Sequence, residues 1–229
     1  ADTTAGFSIM TYSGTTGDVH TIGHGLGVTP DVWIVKARSD GGDFDDWFFW
    51  HKDMAASNVV DNRMLFLNST AAVATYTGIN AVTSSTIRVK SSTTAQNGDT
   101  YVAYAFAEKQ GYSKFGKYVG NGDVAGPFVY TGFKPAFVMI KNASATESWV
   151  IYDTKRSSNN PADLKLSPDT ADSENDNSAI GGAAYNNIDI LSNGFKCVKN
   201  NAATNGSGNT LIFMAFAENP FVTSTGIPT

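Results

Sequence analysis

The stretch SDGGDFDDWFFWHKD, residues 39–53, contains the residue types best suited to chemistry in this chain. Three carboxylates, Asp43, Asp45 and Asp46, lie in a glycine-containing loop. Calcium takes about six to eight oxygen ligands, and loops of this kind supply some of them. The spacing does not complete an EF-hand loop. A calcium site on these aspartates and a solvated acidic loop are therefore both open, and the sequence favours the acidic loop.

The aromatic run that follows, Trp47-Phe48-Phe49-Trp50-His51, has two interpretations. Rings beside a polar loop can form a platform on which a ligand such as a sugar stacks. The same rings in a buried strand form part of a core, which is the commoner place for large apolar side chains. An internal comparison, given below, separates these interpretations.

Two other residue sets could do chemistry. The chain has three histidines, and His20, His24 and His51 match no zinc motif in their spacing. His24, which precedes Gly-Leu-Gly, instead predicts a turn hydrogen bond. A glycan-cleaving enzyme needs two carboxylates at a defined separation, and Glu108 and Glu218, which each end an AFAE segment, are the most suggestive pair.

Composition excludes several classes of function. The 229 residues are 41% apolar, enough for a packed core, and the net charge is −5. Lys and Arg form no cluster, so nucleic-acid binding is not expected. No apolar run has the length of a membrane span, so no membrane insertion is expected. The single cysteine, Cys197, permits no intrachain disulfide and is predicted to be a buried apolar residue.

The sequence repeats one pattern twice. Gly6 and Gly111, Pro30 and Pro135, and Lys36 and Lys141 are each 105 positions apart. The halves also end alike, with YVAYAFAE at 101–108 and LIFMAFAE at 211–218. Because the order of motifs is kept while loop lengths change, we interpret the pattern as a duplication.

The repeated segments are short, rich in apolar and β-branched residues, and separated by Ser, Thr, Asn and Gly. They predict an all-β protein, a β-sandwich of two pseudo-repeats of about 105 residues, of jelly-roll or lectin-like type. The predicted domains are residues 1–110 and 111–229, which could also share one core. Several strands, such as AFVMIK and LIFMAFA, are apolar on both faces. A strand layer, a loop or a neighbouring subunit must cover the second face, and a homo-oligomer is a natural explanation.

The duplication provides an internal comparison for the candidate sites. Trp47 and Trp50 correspond to Trp149 and Tyr152, so an aromatic at both places is interpreted as core. The three aspartates have no full counterpart, so the scaffold does not require them. Glu108 and Glu218 are duplicates of each other, which favours a structural role, such as pairing with a lysine, over catalysis. The chain is therefore predicted not to be an enzyme.

A glycan-binding module is the alternative function. Its candidate residues are Trp33, which the second half replaces by Val138, His51 at the end of the aromatic strand, and the loop with Asp43, Asp45 and Asp46. A glycan depolymerase is the least favoured alternative, because its carboxylate pair should not be duplicated.

Several motifs in combination resemble a repeat-built module of virion proteins in tailed bacteriophages, especially marine ones. They are TIGHGLGVTPD, GYSKFGKYVGNG, GPFVYTGFKPAFVMIK, SWVIYDTKR, LSNGFK and FMAFAENPF, and they extend along nearly the whole chain. The resemblance implies a β-rich virion component, such as a tail fibre or capsid appendage, with no established catalytic residues. Phage fibres are commonly trimeric.

The sequence thus leads to an expected function. We expect a virion structural protein that acts in assembly with other virion proteins, and in attachment to a host-surface glycan. Four loops, at 39–46, 91–99, 157–178 and 199–209, are the expected contact surfaces, because loops on a rigid sandwich often carry binding. No cofactor is expected apart from the calcium alternative. The start at Ala1, without a methionine, suggests processing or a fragment of a longer protein.

Overall fold

The computed structural model describes residues 1–17, 19–39, 46–54, 63–76, 82–90, 92–176 and 188–220. The chain divides into two compact units. Unit 1 comprises Ala1–Asn68 and Val73–Glu108, and unit 2 comprises Ser69–Ala72 and Lys109–Thr229. The short segment Ser69–Ala72 is therefore part of the second unit although it lies in the first half of the sequence.

In its described residues, unit 1 has eight strands and one short 3₁₀ helix at Lys52–Met54. The strands are β1 (Phe7–Ser13), β2 (Val19–Gly23), β3 (Val32–Ala37), β4 (Phe48–His51), β5 (Arg63–Phe66), β6 (Ala74–Thr75), β7 (Thr86–Lys90) and β8 (Thr100–Phe106). Six of them form an antiparallel sheet in the order β1-β8-β3-β4-β5-β6, and β2 pairs with β7 in a second sheet.

The part of unit 2 that the structure describes contains nine strands and one helical turn, α1 (Ala202–Asn205). The strands are β9 (Ser113–Val119), β10 (Phe128–Tyr130), β11 (Pro135–Asn142), β12 (Val150–Asp153), β13 (Leu164–Lys165), β14 (Asn175–Asp176), β15 (Ile188–Leu191), β16 (Gly194–Cys197) and β17 (Thr210–Ala217). The main antiparallel sheet has the order β12-β11-β17-β9, a second has the order β10-β16-β15, and β13 pairs with β14. The all-β prediction is confirmed, whereas the jelly-roll or lectin-like subtype stays a prediction.

The two main sheets share one strand order. Unit 1 contains β1-β8-β3-β4 and unit 2 contains β9-β17-β11-β12, and the strands matched by sequence occupy the same places. The second sheets correspond as well, because β2-β7 and β10-β16 connect equivalent points of each half. This shared order supports the interpretation of the repeat as a duplication.

A tyrosine at the end of the first strand makes the same contact in both units. The Tyr12 hydroxyl donates to the Thr94 carbonyl at 2.5 Å, and the Tyr118 hydroxyl donates to the Thr204 carbonyl at 2.6 Å. Burial raises the pKa of both tyrosines. The hydroxyl group in each unit thus fixes the loop that precedes the last strand.

Each unit has its own sandwich core. In unit 2, the cluster includes Val138, Leu211 and Phe213 from the main sheet, and Ile188 and Phe195 from the second sheet. In unit 1, the cluster joins side chains of the main sheet to Ile87 of β7. Its buried members are Leu26, Trp33, Val35, Phe48, Met64, Ile87, Tyr101, Ala103, Ala105 and Ala107. Alternate residues of facing sheets form these cores, as expected for a sandwich.

The strands with two apolar faces are buried on both. Ile212 and Met214 of β17 and Met139 of β11 are no more than 7% exposed, although their side chains lie on the face of the sheet that points away from the sandwich core. The single chain itself therefore covers the second face of these strands. The two-sided pattern needs no neighbouring subunit, so it does not by itself support a homo-oligomer.

Candidate functional site

The predicted acidic site is only partly described. Asp43 and Asp45 lie outside the described residues. Asp46 is described, and its Oδ1 accepts a hydrogen bond from Asn68 Nδ2 at 2.9 Å. Among the described residues, no group of three His, Cys, Asp or Glu side chains is placed to hold a metal ion. The calcium alternative on Asp43, Asp45 and Asp46 stays a prediction.

Trp33 and His51 are unsuitable for contact with a ligand from solvent. Both side chains are 0% exposed. Trp33 stacks on Trp50 across β3 and β4, with ring centroids 6.4 Å apart, and it belongs to the core of unit 1. The His51 ring accepts a hydrogen bond from Asp53 N at 3.1 Å. This burial argues against the predicted binding role of both residues. The sequence pattern predicts the strands that carry them but not how deeply those strands are buried.

The aromatic positions compared between the halves differ in burial. Trp149 and Tyr152 are 1% and 0% exposed, as the core interpretation predicts. Trp50 is half-buried, whereas Trp47 is 37% exposed. The core prediction is therefore wrong for Trp47, which immediately precedes β4.

The duplicated glutamates each pair with a lysine. Glu108 Oε2 is 3.5 Å from Lys52 Nζ, and Glu218 Oε2 is 2.8 Å from Lys134 Nζ. Lys141, one of the partners predicted for them, instead donates to backbone carbonyls. The ion pairs support a structural role for Glu108 and Glu218.

Cys197 and His24 behave as the sequence predicts. Cys197 is 0% exposed, and burial raises the pKa of its thiol to about 11, so it stays protonated at neutral pH. The His24 ring lies 3.1 Å from the Thr83 carbonyl through Nε2, and its Nδ1 accepts from Leu26 N at 3.2 Å. His24 thus stabilises a turn, and these bonds occupy both of its ring nitrogens.

A group of side chains outside the predicted site residues, with two exposed aromatic rings, lies on the second sheet of unit 2. In the register of β10, β16 and β15, Phe128 is opposite Lys196, which is opposite Asp189, and Tyr130 is opposite Gly194, which is opposite Leu191. Directly opposite residues share one face of a sheet, as do residues two apart along a strand. We call this set, Phe128, Tyr130, Asp189, Leu191, Gly194 and Lys196, the aromatic face.

The sheet that carries the aromatic face is exposed to solvent on that face and packed against the core on the other. Phe128 is 46% exposed and Tyr130 is 64% exposed. On the opposite side of the same sheet, Val129, Phe195 and Ile190 are at most 7% exposed and belong to the core of unit 2. Because the inner side is packed, the outer side chains project from a rigid support.

Glycines lie beneath both rings. A Cβ at Gly194 would be 3.1 Å from Phe128 Cε2 and 2.1 Å from the Val129 carbonyl oxygen, so only glycine fits there. A Cβ at Gly132 would be 3.6 Å from the Tyr130 hydroxyl oxygen. The two rings thus lie next to glycine backbone at these two points.

The sequence contained too little signal to find this face. β10 has only three residues, Phe-Val-Tyr, all apolar, so alternation cannot show which side is outward. In the predicted contact loops, by contrast, the sequence predicts exposure for residues that are buried. Thr93, Thr94, Ala203, Thr204 and Asn205 are at most 7% exposed, so the middles of the loops at 91–99 and 199–209 face inward.

A buried lysine holds a loop of unit 2. Lys141 is 0% exposed, and its Nζ donates to the carbonyls of Thr70 at 3.0 Å, Asn142 at 3.0 Å and Glu147 at 2.8 Å. Burial lowers the pKa of Lys141 to about 8, and the nearby carboxylates of Asp169 and Glu147 limit the decrease. The lysine explains why Ser69–Ala72 belongs to unit 2.

This lysine predicts a pH dependence of stability. A lysine in the unfolded chain keeps its proton up to a pKa of 10.5, whereas Lys141 in the fold loses it near 8. Between these values the unfolded state binds more protons, so the free energy of unfolding rises with pH, by about 2 kcal/mol from about pH 7.5 to about 9.5. Urea unfolding of the natural chain and of Lys141→Met, at both pH values, measures it. The variant should lack this increment, and equal slopes in both proteins would contradict the assignment.

No helix among the described residues is long and apolar enough to cross a membrane. Comparison with protein families gives one finding. The family model described as Domain of unknown function (DUF7483) matches residues 1–220. No curated protein and no solved structure matches the chain.

Proposed function

We propose that this chain, which belongs to the DUF7483 family, is a structural protein of a bacteriophage virion. It is a non-catalytic component of a tail fibre or capsid appendage, and it acts in assembly and in attachment to the host surface. The resemblance of its motifs to phage virion modules supports the virion context. One edge strand, β1, supports the assembly role and is the observation that carries the proposal.

Edge strands present unpaired backbone groups that can pair with another chain. In the described strands, the edges of the two main sheets are β1, β6, β9 and β12. The strand β6 has only two residues, β12 carries Asp153, and β9 carries Lys114 and Lys117, which oppose edge-to-edge pairing. The strand β1 has seven residues, FSIMTYS, and no charge.

The open side of β1 is also apolar. Ile9 is 56% exposed in the middle of the strand, and a bridge to Asp2 covers only its first residue, Phe7. Pairing of β1 with its copy in a second chain would extend the six-stranded sheet and satisfy the exposed backbone groups. We therefore propose a homo-oligomer that assembles through β1.

A lysine at position 9 tests this assembly. The natural chain should have a solution mass of at least twice 24.3 kDa by light scattering, and Ile9→Lys should have the monomer mass. The physical reason is that a charge in the middle of a paired edge must be buried without a partner. Circular dichroism should show the same β-spectrum for both proteins.

Val119→Lys is the matched control. Val119 is 59% exposed at the end of β9, an edge that already carries two lysines, so this substitution should leave the oligomer intact. A natural chain that is monomeric at every concentration would contradict assembly through β1. Immunogold electron microscopy of phage particles that encode the protein tests the virion context, and particles without label, intact or disrupted, would contradict it.

A further inference from the structure

We propose that the aromatic face binds a neutral saccharide, with Phe128 and Tyr130 stacking on pyranose rings and Asp189 and Lys196 bonding to sugar hydroxyls. This inference rests on the proposed attachment to the host surface and deepens it, because it names a ligand class and places the contact on a sheet remote in sequence from β1. It places the glycan contact on residues different from Trp33, His51 and the Asp43–Asp46 loop.

The duplication indicates that the scaffold does not need these rings. The segments SSTIRVK at 84–90 and SNGFKCV at 192–198 match, so β7 corresponds to β16. In the sheet register, Thr21 and Gly23 lie opposite Arg88 and Thr86 of β7, and Phe128 and Tyr130 lie opposite the corresponding Lys196 and Gly194 of β16. The first half therefore has Thr21 and Gly23 in place of the two aromatic residues, and the two rings are an addition of the second half.

The rings are available for a ligand. Within the described residues, the side chains of Phe128, Tyr130, Asp189 and Lys196 make no ring contact, hydrogen bond or ion pair with one another or with other residues. An exposed aromatic pair without such partners leaves apolar area in water, which a ligand with an apolar face would cover. The Tyr130 hydroxyl and the two charged groups supply polar contacts around it.

The chemistry of the face fits a sugar. The negative face of an aromatic ring attracts polarised C–H groups, and a pyranose presents C–H groups on one face and hydroxyls at its rim. A carboxylate accepts hydrogen bonds from hydroxyls, and an ammonium group donates to them. Since Asp189 and Lys196 have opposite charges, the face carries no net charge and favours a neutral saccharide over an acidic one.

The area and spacing favour an oligosaccharide over a protein. A stable protein interface buries about 800 Å² on each partner, whereas two half-exposed rings offer on the order of 200 Å². The rest of the surroundings is polar, with Ser192 and Asn193 exposed in the hairpin turn between β15 and β16. Phe128 and Tyr130 are two residues apart on one strand, about 6.6 Å, so adjacent sugars of an extended chain can contact both.

Calorimetric titration of the 229-residue chain with three neutral pentasaccharides, cellopentaose, maltopentaose and mannopentaose, tests the proposal. At least one should bind with a dissociation constant of about 1 mM or below, the weak range expected for a shallow site. Phe128→Thr and Tyr130→Thr, which keep a β-favouring residue, should each weaken binding at least about tenfold, and the double variant should abolish it. Asp189→Asn should weaken it about threefold.

Val119→Thr is the matched control, because Val119 is 59% exposed and ends strand β9 of the same unit. It should bind like the natural chain, and Ile9→Lys should do so too, so the failure of assembly and the failure of sugar binding are distinguishable. Absence of binding at about 10 mM of each pentasaccharide overturns the proposal, since this is well above the expected dissociation constant. Binding that survives in the double variant also overturns the proposal. A double variant that has a lower solution mass but binds the saccharide like the natural chain overturns it as well.

Discussion

Replacing Trp33 by valine is expected to lower the free energy of unfolding by about 3 kcal/mol. Valine is the residue that the second half has at the equivalent position, Val138, so the substitution asks whether the two halves have interchangeable cores. Trp33 is 0% exposed and stacks on Trp50. Removal of the indole leaves a cavity next to Trp50 that the surrounding sheet cannot fully close.

Two opposing contributions set this magnitude. Truncation of a buried tryptophan to alanine costs about 3–5 kcal/mol, and valine fills part of the space. In addition, the indole Nε1 of Trp33 has no hydrogen-bond partner among the described residues, and removal of a buried unpaired N–H returns about 1 kcal/mol. The loss therefore stays near the lower end of the range for large core residues.

Urea unfolding followed by circular dichroism measures the effect. Val138→Ala in unit 2 is the companion variant, and its smaller side chain should cost less, about 2 kcal/mol. A Trp33→Val protein with natural stability but reduced saccharide binding would contradict the core assignment and restore Trp33 as a ligand platform. Natural saccharide binding with reduced stability is the result that the structure predicts.

The sequence was sufficient to predict the fold class but not the depth of individual side chains. The composition of segments such as AFVMIK and LIFMAFA predicts strands, and these segments lie in β11 and β17. Replacement of Trp33 by Val138 resembled a specialised surface position. In the structure it is a core change, in which Trp50 opposite Trp33 becomes Tyr152 opposite Val138. The residues at the two positions of such a cross-strand pair differ together between the halves. The amino-acid sequence alone does not show which residues are paired across strands.

The burial of polar side chains is the second feature that the sequence does not predict. The segment NNAATNGSGN has the composition of an exposed loop, since Asn, Ser and Gly favour turns. Yet Asn205 within it is 0% exposed, because its partners come from residues 121 and 123, more than 80 positions earlier in the chain. Burial of a polar side chain depends on such distant partners. Composition therefore predicts it poorly.

The Asn205 side chain joins two loops of unit 2. Its Nδ2 lies 3.0 Å from Asn121 Oδ1, 2.7 Å from the Asp123 carbonyl and 3.0 Å from the Lys199 carbonyl. Its Oδ1 accepts from Asn121 N at 2.9 Å. A buried amide with this many partners stabilises both the loop before β10 and the turn around α1, since the polar atoms of the buried Asn205 side chain would otherwise be unpaired.

Asn205→Asp should destabilise the chain more than Asn205→Ala, by about 4 kcal/mol against about 3. The aspartate has the same shape, but it replaces a donor by a negatively charged acceptor that faces three acceptor oxygens. Alanine only removes the hydrogen bonds. A cost that followed side-chain size alone would rank the variants in the opposite order.

Asn159→Asp, at an exposed position of the same unit, is the control and should change stability by less than about 0.5 kcal/mol in the same urea titration. Equal stability of Asn205→Asp and the natural chain would show that the amide does not hold these loops together.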